Sequence, residues 1–417
     1  MARSTLAKAL LCTFFTLDLA SFVDAGIEDT HTATIDWGDG FRSLGVVTGA
    51  GGAGTVSGSH AYADDGVYAV TVTVVDDDGG ASLAELLLTV ANTAPVVTEQ
   101  PDLAVLEGEV VTLGAGLGEG EGEGGFDNVR IALSDAIGVP FGGLPFFDPG
   151  FADTHRATID WGDGSGTQKL EIGEGRQGGV ILGGHVYADD GVYTAKLTVI
   201  DDDGGESSQS FEVIVGNALP QLGELGGAEL LEGGTFVLDA SFYDAGSGDT
   251  HTASIDWGDG SFSDLAIASD TSVEGVFGAL AGQHVYADDG TYKVTISLWD
   301  DDMLAAEADP VTGSFSVFVS NSAPVVTLGE AGTVIEGGTF LLSGFFLDAG
   351  VLDTHTATVS WGEEGGATES IEIGAGRTLT AEHSFTQEGT YTLTVTVTDD
   401  DGDSGSAKLD VIVLNAP

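Results

Sequence analysis

Asp29-Thr30-His31-Thr32-Ala33-Thr34-Ile35-Asp36-Trp37-Gly38-Asp39-Gly40 returns almost unchanged from Asp153, Asp249 and Asp353. Such recurrence marks one supersecondary unit written repeatedly, so the chain reads as an array and not as an enzyme built around one active site. The rest of the unit keeps step. In the first copy, His60 and Tyr62 are followed by Gly66 and Tyr68, an alternating run to Val74, and the triplet Asp76, Asp77 and Asp78. The triplet returns as Asp201, Asp202 and Asp203, as Asp300, Asp301 and Asp302, and as Asp399, Asp400 and Asp401. Each copy closes on Asn and Pro, at Asn92 and Pro95, Asn217 and Pro220, Asn321 and Pro324, and Asn415 and Pro417. These marks divide the chain into repeats over residues 1–92, 93–217, 218–321 and 322–417, each the size of one small domain. The closing Asn415-Ala416-Pro417 has the form of the start of a further unit, as in an array cut from a longer one.

The strands are read from their period. In Thr32 to Trp37, Ala33, Ile35 and Trp37 share one face and Thr32, Thr34 and Asp36 the other; from Tyr68, Val70, Val72 and Val74 alternate with Ala69, Thr71 and Thr73. Period two, with Val inside and Thr outside, makes half-buried antiparallel strands. Glycine, at 65 of 417 residues, punctuates the chain, and no segment carries a helical pattern with caps. A Trp on an early strand and Asp64-x-Gly66-x-Tyr68 before a later one follow the immunoglobulin pattern, with Val70 where a second cysteine would stand. Each unit is therefore expected to be an all-β, seven-stranded antiparallel sandwich, with Trp37 in the core and Tyr68 as a tyrosine corner.

Trp-Gly-Asp-Gly, then His-x-Tyr-x-x-x-Gly-x-Tyr-x-Val, then the Asp-rich turn, in this order along nearly the whole chain, resemble the PKD (polycystic kidney disease) domain. The resemblance implies a tandem extracellular β-sandwich of the kind used in cell-surface proteins, surface layers and secreted microbial hydrolases, for adhesion or spacing, some members binding calcium. The fourth copy departs from the pattern. Ser360-Trp361-Gly362-Glu363-Glu364-Gly365 replaces the Asp-Trp-Gly-Asp-Gly run and Gln387-Glu388 the Asp pair, so a function of its distal loops is not carried over.

A net charge of −56 with 11 Lys and Arg repels phosphate backbones and anionic membrane surfaces, which argues against nucleic acid as a partner and favours cations. No apolar run reaches the length of a membrane span. Cys12 stands alone, so these domains must be held by core packing or by bound metal. Gly108 to Asp148 is about 30 residues longer than Gly233 to Asp244 or Gly337 to Asp348, more than an ordinary connection. Its Gly/Glu-rich part, Gly114 to Gly125, cannot build a core and is read as a flexible loop. At the start, Arg3 and Lys8 ahead of Ala9 to Leu17 have the form of a secretory signal. Yet Phe15 to Gly26 aligns with Thr235 to Gly246, an internal strand and loop, so both readings stand. Under the second, the first repeat has lost or replaced its opening strand.

The placement of the acids says more than their number. With strands running A to G as in an immunoglobulin sandwich, the B–C loop (Asp24, Glu28, Asp29) and the F–G turn (Asp76 to Asp78) share the end where the chain enters. The exit of strand C (Asp36, Asp39) and the E–F corner (Asp64, Asp65) share the far end, facing the next unit. Distal acids of one repeat then meet proximal acids of the next. Calcium, taking about 6–8 oxygen ligands from irregular loops, would neutralise them. The expected ligands are Asp24, Asp29, Asp76, Asp77 and Asp78; Asp148, Asp153, Asp201, Asp202 and Asp203; Asp244, Asp249, Asp300, Asp301 and Asp302; and Asp348, Asp353, Asp399, Asp400 and Asp401. Ions there lock the array into a stiff rod. Two plainer readings stay open. Asp-Asp-Asp-Gly-Gly is a good solvated turn without metal. An acidic surface also serves solubility in brine, although that would put acids on strand faces where Thr32, Thr34, Thr71 and Thr73 stand. No EF-hand loop occurs.

The 8 histidines fall on two repeat positions, those of His31 and His60. They fall at opposite ends of the sandwich, since the strand from His31 to Trp37 already spans about 20 Å at about 3.3 Å per residue; that is too far for one zinc site within a unit, and hydrogen bonds to loop backbone are expected instead. Trp299 falls on the outward side of its strand, where other copies have Val75, Ile200 and Thr398; it is either a stacking surface for sugar or a neighbouring domain, or incidental. No nucleophile elbow or phosphate loop occurs, so no enzyme is expected. The sequence thus describes a non-catalytic extracellular or cell-surface array for adhesion or spacing, with calcium as cofactor. Its partners are surface polysaccharide or extracellular protein and the neighbouring repeats. The alternative is an ancillary polysaccharide- or protein-binding region of a larger secreted hydrolase.

Overall fold

The computed structural model describes residues 7–10, 14–115, 143–272 and 274–416. Strand positions are lettered A to G in chain order within each repeat. In the third repeat strand A comes in two pieces (Gln221–Leu222 and Ala228–Leu231), followed by B (Thr235–Asp244) and C (His251–Asp256). Strand D again has two pieces (Phe262–Asp264 and Ala266–Ser272), and E (Gly275–Val285), F (Gly290–Asp300) and G (Val311–Ser320) follow. They form a four-stranded sheet, A-B-E-D, and a five-stranded sheet, A-G-F-C-D. Seven positions yield more than seven segments because A and D each start in one sheet and finish in the other. The second piece of A runs parallel to G, Ala228 opposite Val317, and the remaining pairings are antiparallel. The fourth repeat has the same two sheets.

In the first two repeats strand D is unbroken. Arg42–Gly49 pairs its first half with C and its second half with E, and Thr167–Glu174 does the same, so hydrogen bonding runs from one sheet into the other. Strand B of the first repeat is Phe14–Val23, antiparallel to Ala53–Ala61, where the alignment with Thr235 to Gly246 puts a strand. Ala7–Leu10 lies parallel to strand G, Ala81–Ala91, as the second piece of A does elsewhere. Arg3, Cys12 and the Gly/Glu stretch from residue 116 lie outside the described residues.

Alternation builds the cores. Along strand F of the third repeat Val294, Ile296 and Leu298 are fully buried, and Trp257, Ile255 and Phe236 close over them. The other three repeats have matching clusters around Trp37, Trp161 and Trp361. Val70 sits in the core where an immunoglobulin cysteine would. The tyrosine corner forms as expected: the Tyr68 hydroxyl donates to the Asp64 carbonyl at 2.9 Å, and Tyr193, Tyr292 and Tyr391 repeat it on Asp189, Asp288 and Gln387. Trp299 lies half-buried on the outward face of strand F, opposite Thr252.

One short helix, α1 (Asp301–Ala305), departs from the expectation of none. The cause is local. Gly79, Gly204 and Gly402 turn the other F–G connections at φ +90°, +91° and +102°, whereas the third repeat has Met303 there, and a side chain resists that conformation. The chain instead continues into a helical turn, with the Asp300 side chain accepting from Met303 N as N-cap. Among the described residues no helix is long and apolar enough to cross a membrane. The chain divides into two compact units, residues 1–217 and 218–417.

Candidate metal centre

The proximal end of the second repeat gathers Asp148 from the B–C loop, Asp153 before strand C, and Asp201 at the end of strand F, with carboxylate oxygens within 4.8 Å of one another. Asp148 and Asp201 are buried, and their oxygens are engaged. Asp148 Oδ1 accepts from Gly150 N at 2.9 Å and Oδ2 faces His155 Nε2 at 3.2 Å. Asp201 Oδ1 accepts from Asp203 N and Gly205 N, and Oδ2 from the linker's Asn92 Nδ2 at 2.9 Å. Asp153 differs. Both its oxygens are buried with no hydrogen-bond partner, and burial, then the charges of Asp148, Asp64 and Asp201, push its carboxyl up to about 7. It folds inward over Gly150, where a Cβ would lie 2.1 Å from Asp153 Oδ2.

The other repeats vary this arrangement. Asp24, Asp29 and Asp76 cluster in the first repeat, where the Asp24 side chain is 26% exposed against 0% for Asp148. In the third, Asp244, Asp249 and Asp300 are buried. In the fourth, Asp348 and Asp353 cluster with His355, both Asp353 oxygens are buried without a hydrogen bond, and Asp399 Oδ2 accepts from Asn321 Nδ2 at 3.0 Å. There Arg377 donates to the Asp348 and Gly350 carbonyls and braces the loop.

The aspartate triplet is three different positions. The first member (Asp76, Asp201, Asp300, Asp399) ends strand F, and Asp76 and Asp201 stand in the clusters. The second accepts from the backbone N–H ahead of strand C: Asp77 from Thr30, Asp202 from Thr154, Asp301 from Thr250 and Asp400 from Thr354. That bond holds Asp202 and Asp400 below the usual carboxylate range. In the second and fourth repeats the third faces backward along the chain. Asp203 lies within 4.8 Å of Asp64 and Asp65 in the preceding repeat, and Asp401 is pushed up to about 6 by burial and by Asp289, Asp400 and Asp288. Backbone bonds cross the same junctions, Ala152 N to Ala63 O at 3.3 Å and Leu352 N to Ala287 O at 3.4 Å. Within each unit, distal acids thus meet the next repeat's proximal acids.

Seven of the 8 histidines hydrogen-bond carboxylates, all but His383, which corrects the expectation of backbone partners. His31 Nε2 meets Asp24 Oδ2 at 2.9 Å, His251 meets Asp244 at 2.9 Å, and His355 meets Asp348 at 2.6 Å. At the far end His60 stacks on Trp37 and meets Asp39, with His185 and His284 doing likewise on Asp163 and Asp259. At the proximal end the reason is positional: the Asp where strand B gives way to the B–C loop and the His that opens strand C are neighbours in the fold.

Two repeat positions, an Asn and a Glu, escaped the sequence reading. Asn92 and Asn321, seen there only as boundary marks, orient Asp201 and Asp399, and each keeps a buried Oδ1 that bonds nothing. Glu107 and Glu232 are buried at the turn after strand A. Their signal was present as Leu-Glu-Gly at Leu106 and Leu231 and Ile-Glu-Gly at Ile335.

The sequence model of the PKD domain matches residues 145–215, 217–312 and 321–413, more than half of the chain. Among solved structures, the chain is similar to the PKD domain of an M14-like peptidase from a Thermoplasmatales archaeon, at 22% identity over 23% of this chain and 99% of that one, TM-score 0.20. It is also similar to the human desmocollin-1 ectodomain, at 14% identity over 100% of this chain and 81% of that one, TM-score 0.28. An I-band fragment of titin is similar at 10% identity over 78% of this chain and 100% of that one, TM-score 0.30. No curated protein sequence matches the chain.

Proposed function

This chain belongs to the PKD-domain family, and from that premise we propose that it is a non-catalytic extracellular array of four sandwiches, bounded near residues 92, 217 and 321. It spaces or adheres at a cell surface, against polysaccharide or extracellular protein, and calcium at the proximal loops stiffens it. The observation that carries this reading is Asp153, whose two oxygens are buried and unbonded beside the carboxylates of Asp148 and Asp201. Carboxylates within 4.8 Å of each other repel by about 3–4 kcal/mol per pair at an effective dielectric constant of about 20. That exceeds the roughly 1 kcal/mol of a turn hydrogen bond, so a cluster of this kind needs a proton or a cation. A solvated turn would leave its carboxylates in water. An all-oxygen set on irregular loops suits calcium. Asp148, Asp153 and Asp201 would hold the ion in the second repeat, with Asp24, Asp29 and Asp76, Asp244, Asp249 and Asp300, and Asp348, Asp353 and Asp399 as the equivalents.

The test is thermal unfolding in EDTA and in millimolar Ca²⁺, for the wild type and Asp153→Asn. Calcium at about 100 times its dissociation constant adds about 2.7 kcal/mol per site, a shift of several degrees. The wild type should show that rise and the variant a smaller one, with the variant no less stable than wild type in EDTA. Equal melting of the wild type in both buffers would overturn the calcium reading.

A further inference from the structure

Glu232 follows the second piece of strand A in the third repeat, at the turn, and is 2% exposed. Its Oε1 accepts from Ser322 N in the linker at 2.7 Å; its Oε2 is buried and bonds nothing. Its charged neighbours belong largely to the next repeat: burial, then Asp353, Asp348 and Asp289, push this carboxyl up to about 7. The turn touches the fourth repeat's B–C loop directly, for a Cβ on Gly233 would stand 3.0 Å from that of Ala349. Asn321 in the linker gives its amide to Asp399 and keeps a buried, unbonded Oδ1.

We propose that the cation site at the junction of the third and fourth repeats is shared between them, Glu232 Oε2 and Asn321 Oδ1 joining Asp348 and Asp353 around one divalent ion of calcium size. This rests on the calcium reading above and adds the ligands from across the junction. Four buried oxygens without hydrogen bonds, one from Glu232, one from Asn321 and two from Asp353, come from three separate segments. Desolvating them is costly unless something of positive charge binds them. Oxygen donors with three carboxylates among them select a hard dication. The ion would then join two repeats, where one held by the fourth repeat's loops alone would not. The first junction supplies a comparison. Asn92 repeats the geometry of Asn321, but four residues after Ala7, where the third repeat has Glu232 four after Ala228, the sequence has Leu11.

The full chain is titrated with CaCl₂ by calorimetry, as wild type, Glu232→Gln, Asp353→Asn and Glu229→Gln, the last removing an exposed charge from the same strand. Glu232→Gln should weaken one site at least about tenfold and Glu229→Gln none. If Glu232→Gln leaves every site within about twofold while Asp353→Asn abolishes one, the site is confined to the fourth repeat; the shared site is wrong and the calcium reading survives. No binding by the wild type sinks both. Should Glu232→Gln fail to fold, Glu232→Asp, one methylene shorter with its charge kept, is read by the same criterion.

Discussion

Asp153 and Asp202 are two aspartates of one repeat with opposite fates. A backbone N–H given to Asp202 favours its charge, while burial beside other carboxylates makes charge on Asp153 unfavourable. The consequence is a pH dependence of known sign. With a folded pKa of about 7 against an ordinary 3.8, Asp153 keeps a proton in the folded chain that the unfolded chain has already released. Without metal, the stability that Asp153 contributes therefore falls as pH rises from about 4 to about 7 and levels off above. Asp153→Asn should make that fall shallower, read as melting temperature in EDTA across this range; an unchanged slope would mean that Asp153 is not the group responsible. Tyr286 and Phe385 differ by one hydroxyl at the same core position, and that hydroxyl bonds the Trp257 carbonyl at 3.0 Å. That an aromatic recurs at this position was legible from the repeat, whereas its full burial came from the fold. The partner of each acid was not, because identical Asp side chains meet different neighbours once the sheets close.

At the scale of the element, the F–G turn shows how one residue redirects a connection. Gly204 turns at φ +91°, and a Cβ there would meet nothing within 4 Å. Gly204→Ala should therefore cost about 1–2 kcal/mol from backbone strain alone, measured by urea unfolding; a neutral effect would show that the turn adapts, as it does at Met303 by forming α1. Strand existence and facing were readable from the period of two. The division of strands A and D between sheets was not, because that depends on which neighbour each half finds across the sandwich.

For the whole molecule, the charge of −56 makes mutual repulsion a leading destabilising term. Raising NaCl from about 0.01 M to about 1 M shortens the Debye length from about 30 Å to about 3 Å, and melting in EDTA should rise with it. A flat or falling melting temperature would deny repulsion that role. Millimolar calcium at constant ionic strength should add to the rise, since a bound ion acts on clusters that diffuse salt cannot enter.

Repetition, all-β class, the tryptophan core, the tyrosine corner and the end of the sandwich at which each acid stands were determined by the sequence alone, because local period and chain order suffice for them. The tertiary structure decided which acids lose water and which gain a partner. Asn92 bonds Asp201 across 109 residues and Glu232 holds Ser322 across 90. No local pattern encodes such contacts, since burial and hydrogen bonding at a junction exist only when two folded repeats meet.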